Sequence, residues 1–423
     1  MYIERVNIKN FRGIEKLDIK FNSGVNILIG DNGTGKTTIL EALTVALGGY
    51  LQGIQNLKAG GILQDDFRWS MVKLGGASNQ IQYHSPEIEF DLNIEGKSFR
   101  GNRSRSNRDG SGKTSTRCSE IQKYAQKIAN DHKSIMPLLS YMSISRVTMS
   151  RRADYGKTVK NQLNDRRCGY IGCMDSIIDK TNILEWIKKM SYEKVLHNKE
   201  VPELTFFQNV VSDLMADVGE LQNKPEILYS AELENIAYVE NGNMQPITIL
   251  SSGYQSLLWM VMDFAFRIAL LNPELEDSKK ATGIVLIDEV DMHLHPKWQW
   301  NILNALIKTF PQIQFIVATH SPIIIASCKK ATLINVNCSQ AVTYLEDAYA
   351  YSINKVLELR QNSFGILKEL SEKISAFDRY LNKDQMEEAL KLLKLLEEEY
   401  GYNNTEVIEA RAEYELASMI AEE

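Results

Sequence analysis

The stretch GVNILIGDNGTGKTTILEALTVAL, residues 24–47, restricts what this chain can fold into more than any other. Val25-Asn26-Ile27-Leu28-Ile29 has the length and apolar character of a buried strand. It leads into Gly30-Asp31-Asn32-Gly33-Thr34-Gly35-Lys36-Thr37, which fits G-x-x-x-x-G-K-[ST] at every fixed position. Ile39, Leu40, Leu43, Val45, Ala46 and Leu47 then recur at helical spacing. A strand, a glycine-rich turn and a helix in that order form an anion cradle. The glycines let the backbone curl so that N–H groups face inward, and the helix N-terminus lies behind them. Asn32, Gly33, Thr34, Gly35, Lys36, Thr37 and Thr38 are therefore expected to hold ATP. Lys36 would reach its β and γ phosphates, and the Thr37 hydroxyl would face Mg²⁺. Gly110-Ser111-Gly112-Lys113-Thr114 imitates this loop, but Asn107 stands where the first glycine should be and no buried strand precedes it.

Three further segments carry chemistry. Gly283-Ile284-Val285-Leu286-Ile287 reads as a strand buried on both faces, and it delivers Asp288 and Glu289 to its C-terminal end, where parallel sheets bind ligands. Asp288 can hold Mg²⁺ beside Thr37, and Glu289 can polarise an attacking water. Phe315-Ile316-Val317-Ala318 is a second buried strand, ending in Thr319-His320-Ser321, with His320 placed to contact a γ-phosphate. Leu250-Ser251-Ser252-Gly253-Tyr254-Gln255 opens a long apolar helix, Leu257 to Leu271, that Pro273 stops. A serine hydroxyl, N–H groups and a helix start can make a second anion site, while read alone the segment is a good N-cap. His293 and His295 lie two apart in a loop, a weak metal-ligand pattern.

The remaining pattern is that of an α/β protein. Alternation predicts a hairpin over residues 3–8 and 17–21 with its turn at Asn10–Gly13, and a strand over 88–94. Residues 50–80 read as irregular, and 100–117 as an exposed basic loop or hairpin tip. Helices are expected over 119–132, within 180–220 and over 298–310. A central strand is expected at 138–144, ending at Arg146, and further strands at 233–239, 247–250 and 332–336. From about 353 the chain reads as helical, with Gly401 and Asn403-Asn404 breaking it into an antiparallel pair.

Charge is distributed unevenly. Residues 97–167 hold 17 Lys/Arg against 5 Asp/Glu, whereas 353–423 hold 9 against 16, so a basic middle precedes an acidic tail. The basic segment suits DNA phosphates, an acidic partner surface or a solvated loop alike, with Arg146, Arg151, Arg152, Arg166 and Arg167 as clustered candidates. It lacks the interleaved aromatics of a single-strand binder. Five cysteines, Cys118, Cys168, Cys173, Cys328 and Cys338, form no C-x-x-C pair, and no targeting pattern opens the chain. A reducing cytoplasm is the expected compartment. No uninterrupted apolar run approaches the roughly 18–20 residues that span a bilayer, so no membrane is expected as a partner.

The order phosphate loop, LSxG, Asp-Glu and His resembles the ABC-type ATPase heads of the SMC and RecF class. Ile8-Lys9-Asn10-Phe11-Arg12-Gly13 looks like that class's first hairpin. The resemblance implies a P-loop fold with a mixed central sheet, a mostly helical insertion and a helical C-terminal tail. It implies that Arg12 joins the ATP site and that Ser251 and Gly253 cap the nucleotide of another subunit in trans. Lys36, Glu289 and His320 then form the catalytic set, as phosphate-loop lysine, catalytic glutamate and switch histidine. It also places the His293–His295 segment at the subunit interface. Longer stretches, LSSGYQSLLWMVMDFAFRIALLNP, GIVLIDEVDMHLHPKWQWNIL, FPQIQFIVATHSPIII, PLLSYMSISRV and GYIGCMDSIIDKTNILEWIKKM, are similar to the Septu (PtuA-like) and retron-associated ATPases of anti-phage systems. That similarity covers about residues 1–340.

It implies four regions. Residues 1–95 form the N-terminal lobe of the head with the phosphate loop, and 96–230 a basic, mostly helical insertion with a strand near 138–146. Residues 231–350 form the C-terminal lobe, and 351–423 an acidic helical region for assembly or partner binding. It implies homodimer units or a higher oligomer that hold a separate effector, such as an HNH nuclease, or join a retron complex. The alternative is a RecF/SMC-like DNA-binding ATPase of repair or recombination, contacting DNA through residues 97–167. A fused nuclease is disfavoured, because only about 100 residues follow His320 and the last 70 are helical with no acidic cluster. The long insertion before LSxG and the helical tail argue against a transporter subunit. Three departures stand out: Tyr254 replaces the usual signature glutamine or glutamate, Gln64 is a poor Q-loop candidate, and no long heptad coiled coil is present.

Overall fold

The phosphate-loop strand, Val25–Ile29, is buried along its whole length in a six-stranded sheet. The sheet order is Ala341–Leu345, Thr332–Asn337, Val25–Ile29, Gln312–Ala318, Thr282–Ile287 and Leu138–Met142. All neighbours pair in parallel except the edge strand Ala341–Leu345, so the sheet is mixed. The apolar runs at 25–29, 283–287 and 315–318 are continuous because these strands are central and covered on both faces. The computed structural model describes all residues except 58, 75–77, 110–111, 144–164, 176–177, 338–340, 347, 362–367, 384, 403 and 422–423. The described chain divides into two units, Met1–Ala350 and Tyr351–Glu423.

A second sheet of five antiparallel strands runs Ile14–Lys20, Tyr2–Phe11, Glu87–Ile94, Lys97–Ser104 and Ser115–Arg117. The expected first hairpin is present, with Arg12 at φ 51 in its turn. Helix Lys36–Leu51 touches strands of both sheets and buries nearly every side, which is why its apolar residues do not form a single stripe. Gly48 and Gly49 cost this helix some stability. They are needed because Arg103, Phe90 and Cys118 press onto them: a Cβ on Gly48 would sit 2.3 Å from Arg103 Nη1.

Helices Lys180–His197, Pro202–Gly219 and Ser252–Leu271 pack together. Trp186 lies at their junction, 5.5 Å from the Phe207 ring and 5.3 Å from Phe266, edge-on to both. Ser252–Leu271 is long and apolar enough to cross a membrane by composition, yet most of its side chains are buried in the core. A three-stranded sheet, Glu226–Ser230, Asn235–Glu240 and Asn243–Pro246, adjoins the start of this helix. The second unit holds helices Ile353–Gln361, Lys368–Leu381, Met386–Tyr400 and Thr405–Ala421. Phe377, Ala389, Leu393 and Ala410 form part of its core.

Several expectations are corrected. Residues 50–80 are not all irregular: Arg68–Leu74 and Ser78–His84 form a hairpin. Residues 247–250 are not a strand; Ile247–Ile249 is a single 3₁₀ turn that buries Ile247 and exposes Ile249. Of the two readings of residues 100–117 the hairpin holds and the exposed loop does not: Lys97–Ser104 pairs with Ser115–Arg117, and Arg103 and Arg105 are buried within and just after the first of these strands. The strand at 138 ends at Met142 and stands at the end of the six-stranded sheet, beside Thr282–Ile287, where a central position was expected; Arg146 lies outside the described residues. The break expected at Gly401 is present between helices Met386–Tyr400 and Thr405–Ala421, but among the described residues two further helices, Ile353–Gln361 and Lys368–Leu381, precede that pair.

Candidate functional site

Parallel strands end on one edge, and the phosphate loop, Asp288, Glu289 and His320 gather there. Gly30, directly after its strand, has φ 140, and a Cβ at this position would lie 2.7 Å from the Val336 carbonyl oxygen. The loop can therefore follow its path only with glycine at this point. Gly35 (φ 103) begins the helix without a side-chain cap, so the first amides of a 16-residue helix face the loop. Lys36 is 5% exposed. It folds back over the loop and donates to the Gly30 carbonyl at 2.8 Å and the Asp31 carbonyl at 3.0 Å. Burial holds its ammonium below the usual lysine range, opposed by the carboxylates of Glu289, Asp288, Asp31 and Asp291. Asn32 and Gly33 are exposed at the loop tip, and Thr34 donates to the Asp31 carbonyl at 2.9 Å. Thr38, half-buried, lies in the first turn of the helix.

The Thr37 hydroxyl donates to Asp288 Oδ2 at 2.9 Å, joining the loop to the acidic pair 251 residues later in the chain. Asp288 is buried, and its amide donates to Met142 O at 2.7 Å, which anchors it to the neighbouring strand. Glu289 takes a left-handed backbone (φ 50) as the chain leaves its strand. Burial, then the nearby Asp291 and Asp288, push its carboxyl up to about 7, so it is a stronger proton acceptor than an ordinary glutamate. His320 Nε2 lies 3.6 Å from Glu289 Oε1. Burial and Lys36 hold this imidazole below its usual range. The structure thus brings Lys36, Thr37, Asp288, Glu289 and His320 together.

Other predicted residues lie elsewhere. Arg12 donates through Nε to Asp66 Oδ1 at 2.8 Å and pairs with Glu41, on the flank of the phosphate-loop helix. Ser251 caps helix Ser252–Leu271, its hydroxyl oxygen accepting from the Tyr254 amide. The Gln255 side chain ties down the preceding turn by donating to the Thr248 and Leu250 carbonyls. Gly253 packs on the segment after the acids: a Cβ there would lie 2.1 Å from the His293 carbonyl oxygen. His295 caps helix Pro296–Thr309, its Nδ1 accepting from the Lys297 amide at 3.3 Å. Gln64 is exposed in a one-turn helix.

Of the clustered arginine candidates, Arg166 spends its guanidinium on the Asp131, His132 and Ser134 carbonyls, and Arg167 pairs with Asp165. Arg146, Arg151 and Arg152 lie outside the described residues.

Sequence reasoning missed four supporting groups. The Thr319 hydroxyl donates to Asp291, and the Val290 amide donates to the Ala318 carbonyl at 3.2 Å, so the segment after the acids is tied to the segment before His320. Gln299 donates to the Leu294 carbonyl at 3.0 Å and accepts from the Ser321 hydroxyl at 2.6 Å. Asp66 and Glu41 hold Arg12. Gln299 and Asp66 sit in segments without motif character, and Glu41 looks like any helix-surface acid. Asp291 alone, three residues after Asp288, offered a signal.

Residues 5–234 match a family model described as an AAA domain, and residues 158–325 match a second, described as an AAA ATPase domain. A retron Vc95 probable ATPase of Vibrio cholerae serotype O1 biovar El Tor is 27% identical, over 77% of this chain and 71% of that protein. The Septu protein PtuA of Bacillus thuringiensis is 23% identical, over 97% of this chain and 92% of its own. Among solved structures, an SMC head bound to the C-terminal winged-helix domain of ScpA superposes with a TM-score of 0.49 at 16% identity, covering 82% of this chain and 98% of that one.

Proposed function

This chain belongs to the AAA-domain family and is an ATPase with an α/β head built on a mixed sheet, and from that premise we propose that the head is of the ABC type, self-assembles by sandwiching ATP and so controls a partner effector nuclease in anti-phage defence. The observation that carries the catalytic part is the 2.9 Å bond from Thr37 to Asp288, with Glu289 and His320 beside it at adjoining strand ends. Lys36 and the amides of Asn32 to Thr38 take the phosphates. The Thr37 hydroxyl and Asp288 carboxylate are a hard-oxygen pair of the kind that suits Mg²⁺, which when bound would neutralise phosphate charge. Glu289 accepts a proton from the attacking water, and His320 contacts the γ-phosphate.

The capping role belongs to a second copy. Ser251 and Gly253 offer a hydroxyl and a helix start that face the nucleotide of the partner subunit, and Arg12 completes the ATP site from the flank. The defence setting rests on the relatives named as a retron probable ATPase and as Septu PtuA. The effector is a separate chain, an HNH nuclease or the other components of a retron complex. Residues 351–423, with their acidic helical surface, serve assembly or effector binding.

Glu289→Gln tests the proposal. The variant binds ATP, loses turnover by about 10²–10⁴-fold and accumulates as an ATP-bound assembly of at least twice the monomer mass in light scattering. Unimpaired turnover, or a mass that ignores ATP, would refute it.

A further inference from the structure

The turn that starts the signature helix is held by an aromatic clamp. Tyr254 is edge-on to Trp298, with ring centroids 4.8 Å apart, and edge-on to Tyr238 at 5.2 Å. Its hydroxyl shares a hydrogen bond with the Tyr238 hydroxyl, which in turn donates to Glu240 Oε2 at 3.0 Å. Tyr238 is fully buried and sits in the middle strand of the small sheet, opposite Ile227 on one side and Gln245 on the other. It is therefore a fixed platform and not a mobile side chain. Trp298 belongs to the first turn of helix Pro296–Thr309, and its amide donates to the His295 carbonyl at 2.8 Å. The next residue, Gln299, ties this helix to the Leu294 carbonyl and to Ser321 beside His320.

These contacts grip the signature start at two points. The Gly253 backbone lies against the His293 carbonyl with no room for a methyl group, and one residue on the Tyr254 ring lies against Trp298. Both anchors sit on the segment that follows Asp288 and Glu289 in the same chain. Ser251 takes its orientation from the same place, because its hydroxyl oxygen accepts from the Tyr254 amide.

We propose that Tyr254 is a positioning residue: clamped between Tyr238 and Trp298, it locks the Ser251–Gly253 signature turn to the His293–Trp298 segment, so that the two reach the neighbouring subunit's nucleotide as one body. The proposal rests on the sandwiching reading above. Tyr254 touches no phosphate in this arrangement. It determines where Ser251 stands when the second copy arrives, and a displacement of about 1 Å is enough to cost on the order of 100-fold in rate.

Tyr254→Ala and Tyr254→Phe, made beside Ser251→Arg and Trp298→Leu, test it by steady-state ATP turnover, fluorescent-nucleotide titration at dilute protein and thermal melting. Tyr254→Ala lowers kcat by about 100-fold and leaves the dilute-protein nucleotide affinity within about twofold, because the phosphate loop is untouched. Tyr254→Phe keeps both ring contacts and retains turnover within about tenfold of the parent. Trp298→Leu removes the clamp from its other side with the signature sequence intact and reproduces the Tyr254→Ala loss. Combining the two adds little, since both act through one contact. Equal losses of nucleotide affinity and turnover in Tyr254→Ala, without rescue by Phe, overturn the proposal by showing a general packing role. Parent-like kcat in folded Trp298→Leu overturns it as well, and this variant decides the matter should Tyr254→Ala not fold. Ser251→Arg separates the two levels. If it abolishes turnover while Tyr254→Ala does not, sandwiching stands and the clamp falls; if Ser251→Arg turns over normally, sandwiching itself fails.

Discussion

Replacing Arg103 with methionine destabilises the first unit by about 3 kcal/mol, although a basic segment invites the opposite expectation of a solvated side chain. Arg103 is fully buried. Its guanidinium donates to the Val45 carbonyl at 2.5 Å, the Gly60 carbonyl at 2.8 Å and the Thr116 hydroxyl at 3.2 Å. Charge-assisted bonds of this kind contribute roughly 1.5–3 kcal/mol each, so three of them contribute on the order of 6. Against this stands desolvation, which pushes the guanidinium down to about 10, well below the ordinary arginine range. That shift corresponds to about 3 kcal/mol returned when the charge is removed. The balance is a loss of about 3 kcal/mol. Unfolding of a 350-residue unit carries an entropy of roughly 0.7 kcal/mol/K, so the midpoint falls by about 4 °C. Thermal melting of Arg103→Met and parent, with DNA-binding titrations at two salt concentrations, provides the assay. An unchanged midpoint together with weakened, salt-sensitive DNA binding would refute the structural assignment and favour a RecF-like role for the segment.

Three more outcomes follow from the same geometry. Lys36→Ala loses saturable ATP binding in a fluorescent-nucleotide titration but melts near the parent temperature, because the hydrogen bonds its ammonium makes among the described residues go to carbonyls of its own loop. Gly30→Ala forces a methyl group to within 2.7 Å of the Val336 carbonyl at φ 140, so it weakens ATP binding at least tenfold in the same titration while circular dichroism stays unchanged. Asp263→Ala leaves Arg267, buried and bonded to the Gly169 and Ile171 carbonyls, without its carboxylate at 2.7 Å. Urea unfolding then shows a loss of about 3–5 kcal/mol, and the Asp263→Met, Arg267→Leu pair recovers much of it.

The parts legible in the sequence are those whose chemistry is local. The phosphate loop announces itself because its glycines must take positive φ where the strand ends. The buried strands 283–287 and 315–318 announce themselves because both faces are covered. Where a side chain's fate depends on distant partners, the sequence misleads. Arg103 and Arg105 sit among Ser, Asn and Gly, a composition typical of loops, yet they serve as internal ties to the carbonyls at Val45, Gly60 and Ile62. The hairpin 68–84 was missed because its outward face carries apolar residues: Trp69, Met71, Ile81 and Tyr83 are exposed, so the polar-out alternation is inverted. Ile247–Ile249 looked like a strand because isoleucine favours strands, but Pro246 before it and the helix cap after it leave room for only one turn.

What no motif states is why Glu289 and His320 meet. Strands Thr282–Ile287 and Gln312–Ala318 pair in parallel with Ile287 opposite Val317, and helix Pro296–Thr309 provides the crossover between them. The thirty-odd residues separating the acid from the histidine are thereby reduced to 3.6 Å, and the Val290 amide bonded to the Ala318 carbonyl fixes the alignment one step past the strand ends. Side chains alternate between faces along a strand, so a slip of one residue in this pairing would carry Val317 and Ile287 from one packed face to the other. It would also move His320 out of reach of Glu289. Gln314, fully buried at the other end of the same strand, opposes such a slip: its amide bonds both the Ile3 amide and the Ile3 carbonyl of the antiparallel sheet. The alignment of acid and histidine at one strand end is thus pinned by a polar side chain at the opposite end.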